Sequence, residues 1–184
     1  MKYVAVYCSS RGDLPDEICA GAKLIASAIG QSGAGLVYGG VNAGLMHVVA
    51  QAAADAKAPV TGVVPEVFMQ RADALCNTIV PADDLNDRKS KMIDLADVFV
   101  VLPGGIGTLD EWISTLSHIM VRERVDANAD KPILVWNADG MYDAMARQLK
   151  ETGESVYARG KRIDRSEIFN TAHALAERLS ELLG

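Results

Sequence analysis

The chain is poor in cysteine, aromatics and positive charge, and each shortage removes a class of function. Cys8, Cys19 and Cys76 are the only cysteines among 184 residues. They are odd in number and lack CxxC spacing, so neither a disulfide framework nor a cysteine metal site is read from them. Reduced cysteines fit a cytoplasmic protein. His47, His118 and His173 show no metal-ligand spacing, and neither a metal nor a cofactor is expected. The formal charge of −6 argues against a nucleic-acid polymer as partner, although a small phosphorylated ligand needs only one or two local cations. No apolar run reaches membrane-spanning length, and Met1-Lys2 reads as running straight into a strand without a secretory signal. There is no GxSxG elbow for a Ser-His-Asp hydrolase. No lysine follows a phosphate-cup motif, as a pyridoxal-phosphate decarboxylase would need.

What remains is an ordinary α/β composition, 49% hydrophobic and 5% aromatic, in one expected domain over 1–184. Its centre is VFVVLPGGIGTLDE at 98–111. Val98, Phe99, Val100, Val101 and Leu102 form an unbroken apolar run, as a parallel strand buried on both faces does. Pro103 ends that strand. Gly104, Gly105 and Gly107 let the backbone turn sharply and approach a ligand. Thr108-Leu109-Asp110-Glu111 reads as a capping box, with Thr108 as N-cap and Asp110 as a first-turn partner of the dipole. A strand, a glycine turn and a helix N-terminus make an anion site, and phosphate suits it.

The same alternation recurs along the chain. Strands are expected at 3–8, 36–38, 59–64, 78–80, 98–102, 132–136 and 167–169. Helices are expected at 15–31, 45–55, from Asp87 toward 93, 108–121 and 141–151, with a short helical piece at 67–72. Asn170 or Thr171 caps a last helix, and polar connections fall at 122–131 and 153–161. Gly33-Ala34-Gly35 precedes its strand, so a classical dinucleotide fingerprint is rejected there. Strands alternating with helices mean a parallel sheet covered on both faces, here of about six or seven strands. The loops at 9–13, 39–44, 65–71 and 104–108 then converge on one crevice.

At these residues the chain resembles the Lonely Guy family of cytokinin-activating enzymes. PGGIGTLDE at 103–111 is similar to the family's PGGxGTxxE signature. VYGGVNAGLM at 37–46 resembles its second glycine turn, DRKSKM at 87–92 its Arg-Lys-x-x-Met helix, and CSSRGDLP at 8–15 its first loop, with Cys8 in place of the usual glycine. The resemblance implies a Rossmann-like three-layer sandwich and a homodimer. It also implies a nucleoside 5′-monophosphate phosphoribohydrolase that releases a purine-type base and ribose 5-phosphate. Leu85-Asn86-Asp87, Asp110 and the 117–130 region depart from the family pattern and bear on base preference and the dimer contact.

On this reading Arg88 and Glu111 are catalytic. Glu111 meets the oxocarbenium-like sugar, and the forked Arg88 holds phosphate or meets charge on the departing base. Ser9, Ser10, Gly39, Gly40, Gly44, Lys89, Gly104, Gly105, Gly107 and Thr108 bind substrate. Bland alternatives stand beside these roles: Glu111 as a helix cap, Arg88 and Lys89 as solvated cations, the glycines as tight turns, Met92 as core. Two rival functions are a non-catalytic carrier of a phosphorylated cofactor, such as molybdenum cofactor, and a nucleotide-sensing interaction protein. The pairing of Arg88 with Glu111 favours the enzyme.

Overall fold

The computed structural model describes residues 1–122, 131–155 and 165–184. In chain order the elements are β1 (Tyr3–Tyr7), α1 (Asp16–Gln31), β2 (Gly35–Tyr38), α2 (Gly44–Asp55) and β3 (Val60–Pro65). A 3-10 segment (Glu66–Arg71), β4 (Thr78–Ala82), α3 (Leu85–Leu95), β5 (Val98–Val101) and α4 (Ile106–Arg122) follow. β6 (Ile133–Trp136), α5 (Asp143–Glu154), β7 (Ser166–Phe169) and α6 (Ala172–Leu183) complete the chain.

The seven strands lie in the order β4-β3-β2-β1-β5-β6-β7, and every neighbouring pair is parallel. The expected parallel sheet and its strand count are therefore observed, with β1 at the centre and β5 beside it. β2, β3, β5 and β6 are buried along their whole length, which is why they read as unbroken apolar runs.

Alternate residues of β1 enter opposite cores. Val4 and Val6, with Cys8 just beyond the strand, pack with Ile25 of α1, Val49 of α2 and Leu179 of α6. Ala5 and Tyr7 pack with Met92 of α3, Trp112 of α4 and Leu149 of α5. Each fully buried aliphatic side chain here contributes about 1.5–3 kcal/mol over its exposed state. Met92 is core, as its bland reading expects.

Some boundaries differ by a few residues from those expected. α5 starts two residues later than expected and runs on to Glu154. Thr171 caps α6 by accepting from the Ala174 amide. The polar connection at 122–131 and the return at 153–161 lie largely outside the described residues. Among the described residues no helix is long and apolar enough to cross a membrane.

Candidate active site

The strand order reverses between β1 and β5, and the loops leaving their C-terminal ends meet there. The Ser9 amide donates to the Pro103 carbonyl at 3.1 Å, joining the two loops directly. Above them opens a crevice of about 440 Å³, with walls from all four loops expected to converge. Of the expected site residues, Ser9, Ser10, Gly39, Arg88, Lys89, Gly105, Gly107, Thr108 and Glu111 line it.

At its floor Arg88 Nη2 lies 2.9 Å from Glu111 Oε1, and both side chains are largely buried, 17% and 9% exposed. The two residues come from different helices. Arg88 stands in the first turn of α3, whose N-cap is Asp84: its carboxylate accepts from the Asn86 and Asp87 amides at 2.7 and 2.8 Å. This corrects the expected cap at Asp87, whose own carboxylate accepts from the Asp83 amide and from Lys91.

The capping box at Thr108 is likewise corrected. α4 begins at Ile106, and Leu109 N donates to the Gly105 carbonyl at 3.1 Å, so Thr108 lies inside the first turn. Glu111 cannot reach back to an N-cap amide because its carboxylate is held by Arg88. Thr108 is buried against Gly104, where any side chain would collide with the Thr108 hydroxyl. The Ile106, Gly107 and Thr108 amides have no carbonyl one turn earlier, which leaves the start of α4 as an anion site on the crevice wall.

A second pair runs parallel to the first. Lys89 Nζ lies 2.7 Å from Asp110 Oδ2 and 3.2 Å from Ser114 Oγ. Asp110 thus partners Lys89 in the second turn of α4 and does not serve as a first-turn dipole partner. Burial pushes the Glu111 carboxyl up to about 7, against the pull of Arg88. Asp110 raises it further and Lys89 lowers it. Desolvation outweighs the single salt bridge, so Glu111 changes charge near neutral pH. Arg88 Nε is buried with no hydrogen-bond partner, a donor still to be satisfied beside an open cavity.

The glycines divide. Gly39 lies under the Arg88 guanidinium, where a Cβ would collide with it. Gly40 and Gly44 have positive φ (70° and 50°) and do not line the crevice; nor does Gly104. A Cβ at Gly40 would meet Gly62 and Val64, and one at Gly44 would meet the Arg11 carbonyl. By contrast Gly105 and Gly107 have nothing within 4 Å of an added Cβ. Ser9 Oγ accepts from the Arg11 amide, and Ser10 is exposed at the rim.

Residues not named as site candidates from the sequence complete the walls. Met46, Pro65, Phe68 and Leu85 make one side apolar, while Arg11 and Arg71 stand at the rim. The expected loop at 65–71 carries three of these, Pro65, Phe68 and Arg71, and is the available signal.

A family model described as "possible lysine decarboxylase" matches residues 46–179. The cytokinin riboside 5′-monophosphate phosphoribohydrolase of Mycobacterium marinum is 33% identical over 156 residues, covering 84% of this chain and 80% of that protein. The chain belongs to the Lonely Guy family. A second Lonely Guy relative, the protein of the same name from Rhodococcoides fascians, is 34% identical over 149 residues, or 77% and 70% of the two chains. A rice relative, named as a probable enzyme of this kind, is 30% identical over 144 residues, and the match spans 62% of its length. Among solved structures, a molybdenum cofactor binding protein from Rippkaea orientalis superposes with a TM-score of 0.75 at 17% identity, covering 100% and 98% of the chains. At that identity the likeness is one of fold.

Proposed function

We propose that this Lonely Guy protein hydrolyses the N-glycosidic bond of a nucleoside 5′-monophosphate, AMP or an N6-substituted analogue. One observation carries the reading: a buried Arg88–Glu111 pair on the floor of a crevice that also holds the bare N-terminus of α4. The names of the relatives agree with it.

The α4 start receives the 5′-phosphate, which brings the ribose over Glu111. As the C1′–N bond breaks, its electron pair leaves with the base and C1′ becomes cationic. The Glu111 carboxylate stabilises that cation and orients the water that adds to it. Arg88 faces negative charge on the base or the phosphate. The base departs with a proton, and ribose 5-phosphate remains.

We read the protein as cytoplasmic, because three cysteines without pairing spacing suit a reducing compartment. A homodimer forms through the α4 face, where Ile106, Ile113 and Val121 are exposed. A carrier of a phosphorylated cofactor needs no carboxylate buried beneath its ligand, and the likeness to the molybdenum cofactor binding protein reaches the fold only. Incubation with AMP and with isopentenyladenosine monophosphate, followed by chromatography, tests the reading. Free base from either is expected; binding of both without release would leave the carrier.

A further inference from the structure

Glu111 is held from behind as well as from the crevice. Thr115, one turn later on α4 and fully buried, donates its hydroxyl to the Glu111 carbonyl at 2.8 Å. The phenol of Tyr7 lies 2.9 Å from the same Thr115 oxygen. Thr115 has one hydroxyl hydrogen, and Glu111 takes it. The Tyr7 hydroxyl is therefore the donor, in a chain running Tyr7 to Thr115 to the Glu111 backbone.

Tyr7 is a fixed point from which to set that carbonyl. It belongs to β1, which pairs with β2 on one side and β5 on the other. Its ring stacks on Phe99 with centroids 6.1 Å apart. On the other flank of Glu111, Trp112 Nε1 donates to Ser166 Oγ at 2.8 Å and anchors α4 to β7. A lone threonine bond to the carbonyl a turn earlier loosens and bends a helix. Here that oxygen is tied to the centre of the sheet.

We propose that Tyr7, acting through Thr115, is a positioning residue that fixes Glu111 opposite Arg88 at the sugar. The inference rests on the hydrolase reading for its catalytic meaning. Its structural content stands apart from it: without the phenol, the first turns of α4 shift and Glu111 gains water. Burying a phenol in this core costs more than burying a phenyl ring unless its hydroxyl is satisfied, so packing alone favours Phe at this position. A displacement on the order of 1 Å at a reacting group is enough to cost a large share of turnover.

The groups that face the Glu111 carboxyl are Arg88 and Lys89 from α3, Asp110 from its own helix, Tyr7 from β1 and Cys8 just after it. The substitutions proposed leave all but the Tyr7 hydroxyl in place. Tyr7→Phe, Thr115→Val and Thr115→Ser are compared with the unaltered protein by carboxyl carbon-13 titration of Glu111 and by AMP turnover. Tyr7→Phe and Thr115→Val are expected to lower the Glu111 midpoint by roughly 0.5 pH or more, as water reaches the carboxylate. They are expected to lower kcat by roughly tenfold with KM within about twofold. Thr115→Ser, which keeps the hydroxyl, retains both values. The double variant of Tyr7→Phe with Thr115→Val is no worse than either alone, because one chain of bonds is broken once. If both hydroxyl deletions lower the melting temperature yet leave the Glu111 midpoint and kcat unchanged, Tyr7 is only core and the proposal falls. If the unaltered protein does not hydrolyse AMP but the midpoint still moves, the hydrolase reading fails and the positioning stands.

Discussion

Gly39, Gly40 and Gly44 follow β2, while Gly104, Gly105 and Gly107 follow β5, and each turn ends in the N-terminus of a helix. In sequence they look like two copies of one device. In the first turn every glycine is required by the protein's own atoms: Gly39 by Arg88, Gly40 by the backbone of Gly62, Gly44 by the Arg11 carbonyl. In the second, only Gly104 is so required, by Thr108, and the other two face open space. At Gly105 and Gly107, which line the crevice, an uncrowded backbone leaves room for a ligand to approach. The first turn builds the wall and seats a cation; the second leaves open the space that the proposed phosphate site would use. Treating both as phosphate loops misses that division.

The harshest test of the division is to remove what the second turn leads to. Glu111→Gln keeps the size of the side chain and deletes its charge, and turnover of AMP is expected to fall on the order of 100-fold or more. Arg88→Ala is expected to lose activity as well. Its AMP affinity, measured by calorimetry, shows whether Arg88 holds phosphate or serves the departing base. Full specific activity in Glu111→Gln would reduce the crevice floor to a structural pair.

The same residue gives a pH signature. The Glu111 carboxyl titrates near 7 in the folded protein against an ordinary value of 4.5. The folded state thus holds its proton more tightly than the unfolded chain does. Stability from this group is fully present below pH 4.5 and is lost as pH rises through 7, by roughly 3 kcal/mol in all. Denaturant unfolding of the unaltered protein and of Glu111→Gln from pH 4 to pH 8 checks this. The variant is expected to gain on the unaltered protein by that order as pH rises, and parallel curves would mean that Glu111 titrates normally. Turnover that needs the carboxylate rises over the same range.

Within the first turn, Gly39→Ala and Gly40→Ala are expected to part company. Alanine at Gly40 meets both a positive φ and a neighbouring backbone, and is expected to cost about 1–3 kcal/mol of stability. Alanine at Gly39 meets the movable end of Arg88, so stability falls less and turnover falls more. Thermal unfolding alongside AMP kinetics separates the two. Equal losses of stability with equal activity would deny Gly39 its role in seating Arg88.

How far the sequence revealed these things follows from how local each cause is. The buried strands were legible because a strand covered on both faces needs only its own apolar run. Crevice walls at four loops were legible because parallel order sends every strand end the same way. The cap of α3 was misread because Asp83, Asp84 and Asp87 all compete within one turn and only geometry chooses Asp84. The box at Thr108 was misread because its glutamate is taken by Arg88 from another helix, a partner that no local pattern shows. Phe68 carries no motif at all, since apolar walls are made by what the fold brings near.

The mildest substitution tests the comparison from the side of the open glycines. Gly107 lies in the first turn of α4, its φ is not in the positive range, and an added Cβ would touch nothing within 4 Å. Alanine there is expected to stabilise the free protein by about 0.5–1 kcal/mol, since a helical glycine holds excess freedom in the unfolded chain. If phosphate approaches this backbone, the new methyl group occupies part of its space. AMP should then raise the unfolding temperature of Gly107→Ala less than it raises that of the unaltered protein. Adenosine, which lacks the anchor, should shift both equally little. A protein that becomes more stable alone and less responsive to AMP shows that this glycine is kept for the ligand. An undiminished AMP shift in Gly107→Ala, or equal shifts by AMP and adenosine in the unaltered protein, would place the phosphate elsewhere and erase the distinction between the two turns.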